Sequence, residues 1–187
     1  LYHEFDAGKT RIMLAFRHPN ATDPYVLSHL IWRALPQTAR QMGLSLKKPH
    51  AHFLYDRGIP LWAGSYLGWV FSRLGGVPIQ RGKLDPMALK TARRLMVEGQ
   101  FPLAAAPEGG NNGHNEIVSP LEPGIAQLAF WCVEDLQAQA RHESVVILPV
   151  GIQYRYVEAP WKPLETLIGQ LEIDSGLGKP AGLDLYG

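Results

Sequence analysis

The sequence predicts an α/β fold, a three-layer sandwich in which helices flank a largely parallel central sheet. Three observations support this prediction. Short apolar runs of strand length alternate with longer stretches of helical periodicity, and two helical stretches open with an Asp-Pro pair. In addition, 46% of the 187 residues are hydrophobic and 19% are charged. A chain of this length and composition can bury the core of one domain, which we expect to cover residues 1–187.

Five apolar runs have the length and composition of buried strands. In chain order these predicted strands are Arg11–Arg17, Ala51–Tyr55, Gly76–Gln80, Phe101–Ala106 and Ser144–Tyr154. Because helical stretches separate them, we expect crossover connections and parallel pairing. The carboxyl ends of all the strands then meet at one edge of the sheet, which is where open α/β sheets bind their ligands.

The predicted helices are marked by their first and last residues. Asp23-Pro24 and Asp85-Pro86 each match an Asp N-cap followed by Pro in the first turn, and Gly43 and Gly99 match helix ends. We expect the first helix to end before Pro36. Its predicted inward-facing residues are Val26, Leu27, Leu30, Ile31 and Ala34. A later helix is expected from Pro123 or Gly124 to about Ala140.

Composition excludes several classes of protein. The formal net charge of +1 provides no general attraction for nucleic acid. The single cysteine, Cys132, rules out an intrachain disulfide, and its apolar neighbours favour a packing role. No apolar run reaches the roughly 18 residues that span a bilayer. Because the chain begins at Leu1 rather than Met, it is compatible with a fragment of a longer protein whose membrane segments lie elsewhere.

Three polar residues follow predicted strands: His18, Arg81 and Glu108. Five residues along a helix turn by about 500°, so His18 and Asp23 meet only if His18 lies in the loop and Asp23 folds back from the helix start. An Asp bonded to one ring nitrogen leaves the other nitrogen to accept a proton. The alternative is that Asp23 only caps its helix and His18 is a surface residue.

The other two strand ends carry candidates for anion binding. The Arg81 guanidinium suits bidentate contact with phosphate, and the turn at Glu108, Gly109 and Gly110 offers backbone N–H groups to an anion. The alternatives are a solvated arginine and an ordinary turn. His50 and His52 share a strand face, but no acidic or cysteine ligands lie near them in the sequence, so we predict no metal site.

Two segments have features of a lipid-facing surface. In the stretch from Ile59 to Leu74, the aromatic residues Trp62, Trp69 and Phe71 are flanked by Arg57 and Arg73, as in an interfacial segment. Lys90, Arg93 and Arg94 share one helix face that could meet anionic headgroups. The alternatives are core packing for the aromatic residues and a solvated face for the cations.

The order of the motifs resembles the four sequence blocks of the glycerolipid acyltransferases of the 1-acyl-glycerol-3-phosphate acyltransferase type. The blocks are His18-x-x-x-x-Asp23, Gly75-Gly76-Val77-Pro78-Ile79-Gln80-Arg81, Pro107-Glu108-Gly109 and Leu148-Pro149-Val150. The resemblance extends from about Arg11 to Tyr154. It departs from the family where Gly110, Asn111 and Asn112 follow the third block, because the arginine expected there is absent.

This resemblance implies acyl transfer from an acyl thioester, on coenzyme A or acyl carrier protein, to a hydroxyl of a lysophospholipid or glycerol-phosphate acceptor. It implies His18 as general base and Asp23 as its orienting partner. Arg81 and the turn at Glu108, Gly109 and Gly110 then bind the acceptor side, with Asn111, Asn112 or His114 as neutral substitutes for the missing arginine. No metal or other cofactor is required, and the enzyme is expected at the cytoplasmic face of a membrane.

Two other classes of protein remain open from the sequence alone. One is a catalytically silent lipid-binding module of the same fold. The other is a metal-assisted hydrolase in which His18, Asp23 and Glu108 are the ligands.

Overall fold

This computed structural model describes residues 1–80 and 85–176, except the side chain of Trp62. The chain divides into two compact units, Leu1–Gln153 and Tyr154–Gly187. The first unit contains all five strands of the described ranges: β1 (Thr10–Phe16), β2 (His52–Asp56), β3 (Val77–Ile79), β4 (Leu103–Ala105) and β5 (Ser144–Val150). Each lies within or close to a predicted strand.

The strands form one all-parallel sheet in the order β3-β2-β4-β1-β5. Leu103 of β4 pairs with Met13 of β1 on one side and with His52 of β2 on the other. The sheet and the helices on its two faces confirm the predicted three-layer α/β sandwich. Since all strands run the same way, the residues that follow β1 and β4 emerge side by side.

Seven α-helices of the described ranges belong to this first unit: α1 (Tyr2–Asp6), α2 (Asp23–His29), α3 (Leu35–Gln41), α4 (Ile59–Ala63), α5 (Ser65–Arg73), α6 (Pro86–Glu98) and α7 (Gly124–Ala138). On one face of the sheet, Leu27 and the nearby Ile31 pack with Leu14 and Phe16 of β1. On the other face, Met96 of α6 and Leu128 and Leu136 of α7 pack with Met13.

The helices α6 and α7 on this second face of the sheet bear on two predictions from the sequence, the role of Cys132 and the basic face of α6. Cys132 is fully buried on α7, and burial raises the pKa of its thiol to about 11, as suits a packing residue rather than a nucleophile. Arg93 of α6 makes a bidentate ion pair with Asp135 of α7, at 2.6 and 2.7 Å. The basic face of α6 is therefore partly used in joining the two helices, whereas Lys90 and Arg94 remain exposed.

The first predicted helix differs from expectation at Pro36. Instead of ending there, α2 continues through a π-helical turn, Leu30–Ala34, directly into α3. The Leu35 N–H reaches back five residues to the Leu30 carbonyl, and Pro36 follows this wider turn in the first turn of α3. The prediction of a stop before Pro36 is wrong for this reason.

The inward face predicted for this helix is only half right. Leu27 and Ile31 are buried, but Val26 and Leu30 are exposed to solvent. The sheet covers one narrow stripe of the helix, and no described element of the first unit buries its outer side. The apolar pattern therefore identified a helix but overestimated the width of its buried face.

The second unit contains α8 (Trp161–Ser175), which ends at Gly176 in the left-handed conformation. Its larger apolar residues are exposed at helical spacing, at Leu164, Leu167, Ile168 and Leu171.

In the described ranges no helix combines the length and the apolar character needed to cross a bilayer. The expectation of a single domain over residues 1–187 stays a prediction.

Candidate active site

The centre of the candidate site is the pair formed by His18 and Asp23. His18 lies two residues beyond the end of β1, and Asp23 is the first residue of α2. The distance from the imidazole Nδ1 to the carboxylate Oδ2 is 3.0 Å. The Asp23 side chain is completely buried, whereas one-fifth of the His18 side chain (20%) is exposed. One end of the pair is thus fixed in the protein, and the other is accessible to a substrate.

The loop between the two residues explains how they meet. The Asn20 N–H donates to the same Asp23 oxygen at 2.8 Å. In turn, the Asn20 side-chain oxygen accepts hydrogen bonds from the N–H and the hydroxyl of Thr22, both at 3.0 Å. These contacts turn the chain back at the helix start, with Thr22 in the cap position and no side-chain cap. Asp23 is therefore directed towards His18 rather than used as the cap of its own helix.

This geometry fixes the chemistry of the imidazole. Because the carboxylate is an acceptor, Nδ1 carries the proton that the pair shares, and Nε2 is the nitrogen able to take a proton from a hydroxyl. A buried carboxylate beside Nδ1 would also stabilise the imidazolium formed by that transfer. The Phe16 ring packs against the imidazole, with 5.8 Å between the ring centroids and 72° between the ring planes.

Glu108 is the second buried carboxylate at this edge of the sheet. It follows β4, the neighbour of β1, and both of its oxygens accept hydrogen bonds from the protein. Oε1 receives the His18 backbone N–H at 3.3 Å and Nε of Arg17 at 3.4 Å. Oε2 receives the Ser119 N–H at 2.8 Å and the Asn112 side-chain amide at 3.0 Å. Glu108 thus joins the loop that carries His18 to the loop of residues 109–119.

The ionised form of Glu108 is favoured by these contacts. Burial alone would raise the pKa of its carboxyl group, and this is the largest single effect. The N–H groups of Ser119 and His18 and the Arg17 guanidinium together outweigh burial and lower the pKa below its usual value. Near neutral pH Glu108 is therefore a carboxylate held by fixed donors.

Arg17 organises the 109–119 loop from the inside. Its guanidinium donates to three carbonyl oxygens of the loop: His114 at 3.0 Å, Asn115 at 2.6 Å and Ile117 at 2.7 Å. The Gly113 N–H also donates to the Pro19 carbonyl at 3.1 Å. These bonds place the loop against the residues next to His18, and they direct the Arg17 side chain towards the protein.

The residues that follow Glu108 make hydrogen bonds that hold their own loop. Gly109 has φ 72°, and its N–H closes a turn on the Ala106 carbonyl at 3.0 Å. The Asn112 amide donates to Glu108, to the Ile117 carbonyl and to the Ser119 hydroxyl, and its oxygen accepts the His114 N–H. Asn112 is therefore committed to the loop rather than to an acceptor. The substrate-binding role expected for Gly109 and Gly110 stays a prediction.

The Arg81 prediction falls outside the described residues. The strand that precedes it, β3, is the sheet edge, and two strands separate it from β1. At the usual strand spacing these positions are roughly 14 Å apart. Arg81 as the acceptor anchor stays a prediction from the sequence.

His50, two residues before β2, and His52, the first residue of β2, connect this part of the chain to the turn after α5. Nε2 of His50 lies 2.9 Å from the Leu74 carbonyl, and Nδ1 of His52 lies 3.0 Å from the Gly75 carbonyl. His50 also accepts the indole N–H of Trp32 at 3.0 Å. Within the described ranges, no three His, Cys, Asp or Glu side chains come together as a group that could hold a metal ion.

An apolar cleft lies beside the His18–Asp23 pair. Its empty space is about 480 Å³, a figure that includes the part open to solvent. Its lining includes Pro24, Trp32, Phe53, Tyr55 and Phe71. Since Pro24 directly follows Asp23, the cleft begins next to the buried end of the pair. Phe71 meets Tyr55 edge to face at 4.9 Å, so it packs inward rather than facing solvent.

The residues that hold His18, Asp23 and Glu108 in place were not predicted from the sequence. Arg17 was predicted only as the last residue of the first strand, and no role was predicted for Asn20 or Ser119. A partial signal was present for Asn20, because Asn two residues before Thr matches a turn stabilised by its side chain. No comparable signal marks Arg17, since its partners are carbonyl groups whose positions depend on the loop conformation.

The chain was also compared with known proteins. Searches of curated proteins and of solved structures return no significant match. A family model described as Acyltransferase matches residues 3–153, which include every described strand, the His18–Asp23 pair and Glu108. This match covers well over half of the chain and agrees with the order of motifs read from the sequence. The chain belongs to the Acyltransferase family.

Proposed function

We propose that this acyltransferase moves a fatty acyl group from an acyl thioester to the hydroxyl of a lysophospholipid or glycerol-phosphate acceptor. The observation that carries the proposal is the 3.0 Å contact between His18 and a buried Asp23. It lies at the carboxyl edge of a parallel sheet, where such folds bind ligands. The donor is an acyl-coenzyme A or an acylated carrier protein, and the expected location is the cytoplasmic face of a membrane.

In the proposed mechanism, Nε2 of His18 takes the proton of the acceptor hydroxyl as its oxygen attacks the thioester carbonyl carbon. The carbonyl oxygen becomes a tetrahedral oxyanion, and Asp23 stabilises the imidazolium. When the intermediate collapses, the carbon–sulfur bond breaks and the leaving thiolate takes the proton from the imidazolium. The products are an ester and a free thiol, and no acyl-enzyme is formed.

The remaining site residues have supporting roles in this proposal. The backbone N–H of Gly110 is the donor that we assign to the oxyanion, because the Gly109 N–H already closes its turn. Arg81 binds the acceptor phosphate. Glu108 acts by holding the loops that carry His18 and Gly110, since its oxygens face protein donors.

The apolar cleft fits the acyl part of this reaction. A chain of methylene groups gains roughly 0.8 kcal/mol for each group removed from water. Trp32, Phe53, Tyr55 and Phe71 offer such an environment next to the helix that begins at Asp23. We therefore place the acyl chain of one substrate in this cleft.

The test is transfer of a radiolabelled acyl group, from coenzyme A and from carrier protein, to a panel of lysolipids and glycerol 3-phosphate. His18→Gln should lower kcat by roughly 10²–10⁴-fold while the circular dichroism spectrum is unchanged. The matched control is His142→Gln, which should retain wild-type activity. His142 is exposed and lies two residues before β5, at the amino end of that strand and thus away from the carboxyl ends that carry the site.

Three results would contradict the proposal. If His18→Gln keeps substantial activity, His18 is not the base. Binding of thioester and lysolipid with no transfer to any acceptor would favour the silent lipid-binding module. Hydrolysis of the thioester that stops when a chelator is added would favour the metal-assisted hydrolase.

A further inference from the structure

The charge of this chain is distributed unevenly along the sequence. Residues 24–84 contain eight Lys or Arg residues and a single acidic residue, Asp56, although the whole chain has a net charge of only +1. The Asp56 carboxylate accepts the Gly58 N–H at 2.7 Å. This segment runs from the second residue of α2 through α5, and Arg57 within it is paired with Asp85 just beyond its end. The excess of cations along the segment favours an anionic partner.

The same segment exposes aromatic and aliphatic side chains. Tyr66, Trp69 and Arg73 of α5 lie at spacings of three and four residues and therefore share one face of the helix. Tyr66 is 74% exposed and Trp69 is 53% exposed. Their rings stack at 5.8 Å, and the Arg73 guanidinium lies 5.1 Å from the Trp69 ring. On the neighbouring α4, Leu61 is 89% exposed.

The outer side of α2 continues this surface across the apolar cleft. Tyr25 is 72% exposed, and Val26 and Leu30 are exposed beside it. Both helices border the cleft, because Pro24 of α2 and Phe71 of α5 are among its lining residues. We call the exposed side chains of Tyr25, Leu30, Leu61, Tyr66, Trp69 and Arg73 the aromatic rim.

We propose that the aromatic rim binds the surface of an anionic lipid bilayer and opens the cleft towards it. Aromatic rings with arginine beside them suit the boundary between headgroups and acyl chains, and an almost purely cationic segment suits anionic headgroups. Tyr25 of the rim follows Asp23 by two residues, so the proposed lipid surface begins at the same helix start as the His18–Asp23 pair. This inference rests on the proposed function, since it assigns the surface that delivers the lipid substrate.

The test measures sedimentation with vesicles of phosphatidylcholine and phosphatidylglycerol (3:1) and with vesicles of phosphatidylcholine alone. The wild-type protein should bind the anionic vesicles more tightly. The double variant Leu61→Ser/Tyr66→Ser should lower the partition coefficient at least about tenfold, since two apolar side chains no longer enter the interface. Arg73→Gln should lower it about fivefold on anionic vesicles and much less on neutral ones.

Matched controls come from the opposite layer of the sandwich. Phe130→Ser removes an exposed aromatic ring from α7, where Phe130 is 67% exposed, and Arg94→Gln removes an exposed cation from α6. Both variants should bind vesicles like the wild-type protein. If they lose binding as strongly as the rim variants, or if the rim variants bind normally, the proposal is wrong.

Activity on monomeric short-chain thioester and acceptor separates this inference from the proposed function. The rim variants should transfer acyl groups between these soluble substrates at wild-type rates. Vesicle binding that depends on the aromatic rim, without acyl transfer, would contradict the proposed function and support the lipid-binding role of the rim. Acyl transfer without vesicle binding would contradict the lipid-binding role. A raised KM for acyl carrier protein with unchanged vesicle binding would assign the surface to the carrier protein instead and overturn the lipid proposal.

Discussion

The two Asp-Pro pairs of this chain begin helices of the same fold, yet their carboxylates have different uses. Asp85 accepts the Ala88 N–H at 3.1 Å and caps α6. Asp23 is the first residue of α2 rather than its cap, and its carboxylate contacts the His18 imidazole at 3.0 Å. The same dipeptide therefore predicts where a helix begins but not what its carboxylate will contact.

The residues before each pair account for the difference. Before Asp23, the Asn20 N–H holds one carboxylate oxygen, and His18 is close enough in the loop to share it. Asp85 has no histidine in the preceding segment; besides its cap, it accepts the Gln80 N–H at 3.3 Å and pairs with Arg57 at 2.8 Å. The Asp23 carboxylate is therefore held beside His18, whereas the Asp85 carboxylate caps α6 and pairs with Arg57.

The largest expected effect is that of Asp23→Asn. An amide cannot stabilise an imidazolium, and its NH₂ group favours the tautomer in which Nδ1 has no proton. We therefore expect kcat to fall roughly 10²–10⁴-fold with little change in the KM of either substrate. Steady-state kinetics would check this, with Asp85→Asn as the matched control. Near-normal turnover of the Asp23 variant would remove the distinction between the two aspartates.

A smaller effect is expected from Glu108→Gln. All four partners of this carboxylate are donors, so the NH₂ group of Gln must face at least one of them. An unsatisfied buried donor costs about 1–3 kcal/mol. We expect that loss in the free energy of unfolding, together with a fall in kcat of about tenfold as the His18 loop loosens. Unchanged stability in urea denaturation would show that the loops are held in another way.

The pH dependence of the same variant tests the charge of Glu108. Because the folded state lowers the pKa of Glu108, its carboxylate stabilises the protein fully above the unfolded pKa of about 4.3. That contribution is lost as pH falls through the lower, folded pKa. The difference in free energy of unfolding between the wild type and the Gln variant should be constant from about pH 7 to 5 and narrow below that range. A difference that grows on acidification would contradict the assignment.

Most of the fold was predictable from the sequence because it depends on local patterns. The apolar runs that form β1 to β5 and the Asp-Pro starts of α2 and α6 each carry a signal within a few residues. The predicted inward positions of Val26 and Leu30 were wrong because periodicity does not say how much of a helix its neighbours cover. Similarly, Pro36 marks the end of a regular α-helix, but a π-helical turn can accommodate it.

The site was predictable only in part. The strand ends placed His18 and Glu108 at one edge, and the structure brings them together through the His18 backbone N–H. The contacts of Arg17 were not predictable, since they are made with carbonyl groups of a loop about 100 residues away. Long-range contacts between polar groups leave no periodic pattern in a sequence, so the support of a site is harder to predict than its reactive groups.

The smallest effect on catalysis is expected for Asp85→Asn, and it completes the comparison of the two aspartates. Hydrogen bonds from the Ala88 and Gln80 amides, together with Arg57, outweigh burial and hold the pKa of Asp85 below its usual value. An Asn side chain still caps a helix well but loses the ion pair with Arg57. We therefore expect kcat and KM within about twofold of the wild type and a small decrease in Tm that shrinks in high salt. A loss of turnover comparable to that of Asp23→Asn would mean that both Asp-Pro helix starts support the reaction, and the division between them would fail.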